Sequence, residues 1–250
     1  MSRELKFTDD IMFAEVMKES KDICLDLISR IINKKIVSAT FYNTQQTLTA
    51  GIDVRSIRLD VTAEDSEGNF FDIEMQTGRF DELPLRFRGY QSIIDASKWD
   101  RGSTVKKLKE SYIIFLCTND PFGRNLPVYS FEPVCNEDVL VNFNTKTHWI
   151  VLNAQAYKKA SENIYSLLQY MKTGQLSNSS DMLVKSIHTL VCSINNDTKR
   201  RNEMLTVGDK LDALRDEANY YRADSKEKSK LLENALIEIK KLKKQLANKK

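Results

Sequence analysis

The sequence is poor in residues that interrupt regular structure and in those that bind soft metals. Only 8 Gly and 4 Pro occur in 250 residues, which excludes a collagen-like chain and long proline-rich or elastic segments. The two histidines, His148 and His188, and four scattered cysteines without C-x-x-C spacing argue against a structural zinc or a His-based catalytic site. Any metal in this chain is therefore expected to bind oxygen ligands.

Long apolar runs are also missing. No run reaches the roughly 18 residues that cross a bilayer, and residues 1–6 mix charges without the apolar segment of a secretory signal. We therefore expect a cytoplasmic protein that has no membrane partner. With 41% hydrophobic and 29% charged residues, the chain is long enough for one large domain, or for one domain with an appendage.

The charges are unevenly distributed, although the net charge is only +3. From Lys199 onward there are 15 Lys+Arg against 9 Asp+Glu, while residues 1–198 contain 23 against 26. The last twelve residues contain six lysines and no acid, a pattern that attracts polyanions by counterion release. A solvated helix end is the alternative interpretation.

The hydrophobic pattern predicts a mixed α/β sheet flanked by helices. Helical periodicity covers residues 7–35, 84–99 and 156–200, and residues 43–53 have the composition of a loop. The continuous apolar run 111–118 is typical of a central strand buried on both faces. Further strands are predicted at residues 36–42, 128–131, 138–143 and 147–152.

Two alternating runs, residues 56–64 and 69–76, predict a β-hairpin around the turn-like residues 65–68. The period of two puts Ile57, Leu59 and Val61 on one face of the first strand, and Phe71, Ile73 and Met75 on one face of the second. The opposite faces carry Arg58, Asp60 and Thr62 beside Asp72, Glu74 and Gln76. Pairing that is symmetric about Glu67 would set Asp60 directly across from Glu74.

The C-terminal region from Asp209 contains neither Gly nor Pro. Apolar residues recur there with alternating three- and four-residue spacing, which predicts an intermolecular coiled coil, and Ser225 and Lys228 weaken its seam. A single helix folded back on the domain is the alternative. We therefore divide the chain into residues 1–155, a helical extension at 156–205, and a coiled coil with a basic end at 209–250.

Asp60 and Glu74 on neighbouring strands form a candidate site for phosphodiester hydrolysis. This reaction needs a divalent metal to neutralise phosphate oxygens and lower the pKa of a water, and Mg²⁺ prefers few carboxylates with several waters. The backbone carbonyl of Met75 offers a further oxygen ligand, and Gln76 can orient the water. Charges on a solvent-facing hairpin are common, so the spacing by itself is a weak signal.

Four motifs together resemble the recombination-promoting nucleases of bacteria, a transposase-like family within the PD-(D/E)XK nucleases. They are Asp10-Ile11-Met12-Phe13, Arg58-Leu59-Asp60-Val61, Ile73-Glu74-Met75-Gln76, and the Arg- and Tyr-containing helix from Arg86 to Ser92. The resemblance runs from about residue 7 to about residue 152. It implies a restriction-endonuclease-like fold and a DNA endonuclease linked to recombination or to mobile-element transposition.

Carried over to this sequence, the resemblance implies that Asp60 and Glu74 bind Mg²⁺ (or Mn²⁺) and that Gln76 stands where most of the superfamily has lysine. A neutral amide can orient water by hydrogen bonding but cannot supply the charge of lysine. Lys98 and Arg88 are candidates for a replacement cation, and Glu15 is a candidate for a further carboxylate.

Several basic residues near the acidic strand are candidates for contacts with the DNA backbone. They are Arg79, Arg86, Arg88, Lys106, Lys107 and Lys109. The alternative for each is a solvated helix face.

We thus predict a Mg-dependent DNA endonuclease in which Asp60, Glu74 and Gln76 are the catalytic residues, and Asp60, Glu74 and Met75 hold the metal. A homodimer or higher homo-oligomer through the coiled coil would bring two sites to one duplex. The main alternative is a nucleic-acid-binding or coiled-coil interaction protein that keeps the nuclease fold without turnover. An RNA nuclease is a third hypothesis.

Overall fold

A computed structural model describes residues 3–42, 46–49, 56–78, 80–99, 104–176 and 181–209. Contacts divide the chain into two compact units, Met1–Arg201 and Asn202–Lys250. In the second unit, residues 202–209 are helical and are the part that the structure describes. The predicted coiled coil from 210 onward lies outside the described residues, and the predicted division into residues 1–155, 156–205 and 209–250 stays a prediction.

The described elements are α-helices, short 3-10 helices and strands. The α-helices are α1 (Asp10–Glu19), α2 (Lys21–Ile31), α3 (Leu83–Lys98), α4 (Glu162–Thr173) and α5 (Met182–Asn196). The 3-10 helices are Val105–Lys107 and Ala154–Lys159. The strands are β1 (Ala39–Tyr42), β2 (Gln46–Thr49), β3 (Ser56–Leu59), β4 (Val61–Asp65), β5 (Phe70–Gln76), β6 (Ser111–Cys117), β7 (Val128–Phe131) and β8 (Thr147–Asn153).

The main sheet is mixed and has six strands in the order β1-β4-β5-β6-β8-β7. The central strands β5, β6 and β8 are parallel, and the outer pairs are antiparallel. Strand β6 is buried at nearly every position, as the continuous apolar run predicted. The predicted mixed α/β sheet with flanking helices is thereby confirmed.

Two sequence predictions about strands are wrong. Residues 46–49, predicted as loop, form β2 and pair with β3 in a separate two-stranded sheet. Residues 138–143, predicted as a strand, form turns and irregular chain in which Leu140 is 89% exposed. Asp138 accounts for this difference, because its side chain accepts a hydrogen bond from the amide of Leu140 and its carbonyl accepts one from Val141.

The turn between β4 and β5 follows from its composition. The Asp65 side chain accepts hydrogen bonds from the amides of Glu67 and Asn69, both over 2.9 Å. Gly68 has φ 82°, a left-handed conformation that glycine adopts without strain. Its amide donates to the carbonyl of Asp65 over 3.0 Å. The turn fixes the register of the two strands.

That register is symmetric about Glu67, as predicted from the sequence. Val61 pairs with Ile73 and Thr62 pairs with Asp72. The first run is not one continuous strand, however. It breaks at Asp60, which forms a bend, so that β3 joins the two-stranded sheet and β4 joins the main sheet.

Helix α3 covers one face of the main sheet. Phe87 lies edge-on to Phe115 with ring centroids 4.8 Å apart and stacks on Trp149 at 5.5 Å. Buried residues of α3, β5, β6, β7 and β8 form one hydrophobic cluster with them. Helices α1, α2, α4 and α5 pack with one another, and α1 also contacts β5.

The N-terminal segment is tied to α5. The Leu5 amide donates to Oδ1 of Asn195 over 3.0 Å, and Nδ2 of Asn195 donates back to the Leu5 carbonyl over 2.8 Å. Both residues are buried, and they lie 190 positions apart. None of the helices in the described ranges is long and apolar enough to cross a membrane.

Candidate active site

Asp60 lies at the bend where the chain passes from β3 to β4. Its backbone amide donates a hydrogen bond to Oε1 of Glu74 over 2.9 Å. Its own carboxylate oxygen Oδ2 accepts one from the amide of Met75 over 3.3 Å. The structure therefore brings the two predicted acids together. Each carboxylate accepts a hydrogen bond from a backbone amide, that of Asp60 in one case and that of Met75, next to Glu74, in the other.

The face of β5 that carries Glu74 is buried, in contrast to the solvent-facing face expected from the sequence. The alternating strand puts Asp72, Glu74 and Gln76 on one side, and their partners on β6 are Ile113, Phe115 and Cys117. Ile113, Phe115 and Cys117 belong to the core under α3. The polar side chains of Asp72, Glu74 and Gln76 on β5 therefore lie beside a row of core side chains on β6.

Burial decreases along this row toward the end of β5. Asp72 is 0% and Glu74 is 2% exposed, while Asp60, Gln76 and Arg86 are half-buried. Both carboxyl oxygens of Asp72 are buried without a hydrogen-bond partner in the described structure. Solvent therefore reaches this cluster of Asp60, Asp72, Glu74, Gln76 and Arg86 from the Gln76 end.

This burial changes the acidity of the cluster. Burial and, to a lesser extent, the Asp60 carboxylate together raise the pKa of Glu74 to about 8, although the Arg86 guanidinium acts in the opposite direction. Burial also raises the pKa of Asp72 well above its usual range, and the charges of Glu74 and Asp60 add to that effect. Among the described residues, the cluster combines three acids, Asp60, Asp72 and Glu74, with one guanidinium, that of Arg86.

Arg86 on α3 is the cation of the cluster. Its Nη2 donates to Oε2 of Glu74 over 3.1 Å and to the hydroxyl of Tyr90 over 2.9 Å. Its Nη1 donates to Oε1 of Gln76 in a short hydrogen bond. The guanidinium thus joins the acidic strand to the helix.

The expected replacement cations, Lys98 and Arg88, lie elsewhere. Lys98 forms an ion pair with Glu64 at 2.5 Å and lies over the ring of Phe70. Arg88 is exposed. The helical period explains this, because position 88 is rotated by about 200° from Arg86, whereas Tyr90 is one turn on and returns to the same side. The cation beside Gln76 is therefore Arg86.

The donor set fits a hard divalent cation. Asp60 and Glu74 offer carboxylate oxygens, and the Met75 carbonyl is adjacent in sequence. In the part of the chain that the structure describes, no group of three or more His, Cys, Asp and Glu residues is arranged to hold a metal ion. An ion here would take these few protein oxygens and complete its shell with water, as Mg²⁺ prefers.

The other residues predicted for the site are dispersed. Arg88, Lys106, Lys107 and Lys109 are exposed, and Arg79 lies outside the described residues. Glu15 on α1 forms an ion pair with Arg200 at 2.7 Å. Its role as a further site carboxylate stays a prediction.

Asp72 and Arg86 belong to the site, although the sequence pattern gave neither of them this role. Asp72 was assigned to the correct face, but nothing in a period of two reveals that α3 buries that face. Arg86 carried a clearer signal, because it precedes the core-facing Tyr90 by one helical turn. That spacing predicts an inward guanidinium instead of one turned toward DNA.

Comparison with known proteins identifies a family for this chain. The family model for PD-(D/E)XK nuclease family transposase matches residues 9–234. No curated protein and no solved structure matches the chain. The matched range covers the strands and helices that carry Asp60, Glu74 and Arg86.

Proposed function

The chain belongs to the PD-(D/E)XK nuclease family transposases, and from this premise we propose that it is a metal-dependent DNA endonuclease that hydrolyses phosphodiester bonds. The family is one of nucleases linked to transposition. The main sheet would be the restriction-endonuclease-type core of the enzyme. Cleavage would serve recombination or the movement of mobile elements.

The reciprocal contact of Asp60 and Glu74 is the observation that supports this proposal most directly. The Asp60 amide donates to Glu74, and the Met75 amide donates to Asp60. Backbone donors of this kind hold the two carboxylates in place before any ligand arrives. Such preorganisation is what lowers the cost of stabilising charge in a transition state.

Asp60, Glu74 and the Met75 carbonyl would hold Mg²⁺ (or Mn²⁺). When bound, the ion supplies charge to the phosphate oxygens and lowers the pKa of the attacking water. Gln76, half-buried at the open end of the cluster, would orient that water. The hydrophobic row beside Glu74 excludes bulk water, which strengthens each electrostatic contact in the site.

The substrate would be held by exposed cations. Arg88, Lys106, Lys107 and Lys109 are all exposed, and such residues can bind phosphates without reading sequence. Arg79 is a further candidate among residues outside the described part. We propose that the coiled coil from residue 209 joins two or more copies and so brings two sites to one duplex.

The proposal is tested with purified protein, supercoiled plasmid and Mg²⁺ or Mn²⁺. Wild type should nick or cut the DNA, whereas Asp60→Asn and Glu74→Gln should not. Glu162→Gln, an exposed acid at the start of α4, is a matched control that should cut as wild type does. Activity that persists in both site variants would contradict the proposed metal ligands.

The same assay distinguishes the alternative functions. DNA that is retained equally by wild type and both variants without cleavage would indicate a binding protein on a nuclease fold. The neutral Gln76 favours that alternative, because it lacks the charge of lysine. Parallel reactions with RNA would reveal an RNA nuclease.

A further inference from the structure

Arg86 contacts Glu74 and also Gln76, the residue that by resemblance stands where most of the superfamily has lysine. Its guanidinium donates to Glu74, Gln76 and the Tyr90 hydroxyl at the same time. It therefore lies against the proposed metal ligand and against the residue that replaces lysine. Its side chain remains 27% exposed, so the cation is reachable from solvent.

Two aromatic rings hold the guanidinium in this position. Its central carbon lies 4.7 Å from the ring centroid of Phe115 and 5.3 Å from that of Tyr90. Arginine stacks on rings while its planar fork still donates hydrogen bonds at its edge. The charge is thus fixed by packing, and little ordering remains to be done when a phosphate arrives.

Arg86 also determines what Gln76 can offer. The guanidinium donates to the Gln76 carbonyl oxygen, so the amide group that remains for a substrate is NH₂, a donor. Gln76 can then hold a water oxygen or a phosphate oxygen, but it cannot take a proton. The pair presents N–H groups and one positive charge at the half-exposed end of the cluster.

We propose that Arg86 and Gln76 act as one unit in place of the superfamily lysine, with Arg86 as a catalytic residue that stabilises the charge on the scissile phosphate. In the reaction, the water oxygen forms a bond to phosphorus and the bond from phosphorus to the leaving oxygen breaks. One water proton passes to solvent, and the leaving oxygen takes up a proton. This inference rests on the proposed nuclease function and extends it.

A charge swap tests the unit. Arg86→Gln should slow single-turnover cleavage by about 100-fold or more, as expected when one preorganised donor is lost. Adding Gln76→Lys to Arg86→Gln moves the charge to the lysine position, and the double variant should cut at least about tenfold faster than Arg86→Gln alone. Lys185→Gln, an exposed cation on α5, is the control and should cut as wild type does.

Two further readouts separate catalysis from folding. Each variant is assayed for thermal unfolding and for Mn²⁺ binding by electron paramagnetic resonance, and Arg86→Gln should still bind Mn²⁺. Arg86→Lys keeps a positive charge among the buried acids but loses the planar fork that stacks on the two rings. Its cleavage rate should therefore fall below that of wild type and stay above that of Glu74→Gln. It provides the comparison if Arg86→Gln does not fold.

The inference is overturned if folded, Mn²⁺-binding Arg86→Gln cuts within about threefold of wild type, or if the double variant is no faster than Arg86→Gln. A loss with Arg86→Lys as large as that with Glu74→Gln would overturn it as well. Wild type that binds Mn²⁺ but cuts neither DNA nor RNA would instead refute the proposed function, and this inference would fall with it.

Discussion

The Asp60 amide lies 2.9 Å from Oε1 of Glu74 and donates a hydrogen bond to it. The chain bends at Asp60, so its backbone N–H is not used in the ladder between β4 and β5 and points to the neighbouring strand. One acid thus positions the other through its main chain. A substitution at Asp60 that keeps the backbone will leave this contact with Glu74 intact.

Glu74→Gln should abolish cleavage while the fold persists. The amide keeps an oxygen that accepts from Asp60, and it removes the charge that would bind the metal. We expect the cleavage rate to fall by about 100-fold or more, measured in single-turnover reactions with Mg²⁺. A rate near that of wild type, with an unchanged far-UV circular dichroism spectrum, would exclude Glu74 as a ligand.

The stability of the metal-free protein should fall as pH rises through the range in which Glu74 ionises. The pKa of Glu74 rises on folding from 4.5 to about 8, so the folded state binds a proton that the unfolded state has lost. The contribution of Glu74 to the free energy of unfolding is full below about pH 4.5, decreases up to about pH 8 and is constant above it. Glu74→Gln lacks this dependence.

The measurement compares thermal midpoints of wild type and Glu74→Gln between about pH 5 and about pH 8 without divalent metal. The advantage of the variant should grow with pH. A difference between the two midpoints that stays constant across this range would show that Glu74 is already charged at pH 5.

Asp72→Asn should stabilise the metal-free protein at about pH 8 by about 1–3 kcal/mol. The Asp72 carboxyl is fully buried without a hydrogen-bond partner in the described structure, and ionising it there is costly. Urea unfolding measures the change. Asp95→Ala is the contrasting variant, because it removes the acceptor of the 2.8 Å hydrogen bond that Gln91 donates to Asp95, and it should lose stability. Destabilisation by Asp72→Asn would indicate an unseen partner for this carboxyl.

The pairing of the acids could be predicted from the sequence because it depends on local rules. A turn composition centred on Glu67 and a period of two set the register, and the register brings Asp60 to Glu74. The break of the strand at Asp60 could not be predicted, because the alternating pattern continues through it. What ends β3 is pairing with β2, and β2 was predicted as loop.

The burial of the site could not be predicted from the sequence, for a different reason. Polar residues alternating with apolar ones indicate one solvated face, yet α3 covers the face of Asp72 and Glu74. The contact depends on the path of the chain between β5 and β6, which is a tertiary property. Arg86 could have been assigned inward from its spacing to Tyr90, since the two share a helix face.

DNA affinity should depend on salt through the exposed lysines. Replacing Lys106, Lys107 and Lys109 by Gln should reduce the slope of log K against log salt by about 0.9 for each lost phosphate contact. Fluorescence anisotropy with labelled duplex in the Glu74→Gln background measures binding without cleavage. An unchanged slope would place the DNA on another surface.

The oligomeric state should depend on the seam predicted from residue 209 onward. Leu232→Asp together with Ile239→Asp puts charges at two seam positions, and we expect the oligomer to dissociate to monomers. Sedimentation velocity over a range of concentrations measures the change. If the wild type is already monomeric, or if the variant keeps its mass, the intermolecular coiled coil is refuted.

The two hydrogen bonds between Leu5 and Asn195 affect the order in which the protein can fold during translation. All strands of the main sheet have been synthesised once residue 153 has been added, but the partner that secures Leu5 comes 42 residues later, at Asn195. A nascent chain can therefore assemble the strands that carry Asp60 and Glu74 while its first residues are still unanchored. Truncated products that stop before α5 would keep the acidic motif but lack this closure, which makes them targets for proteases.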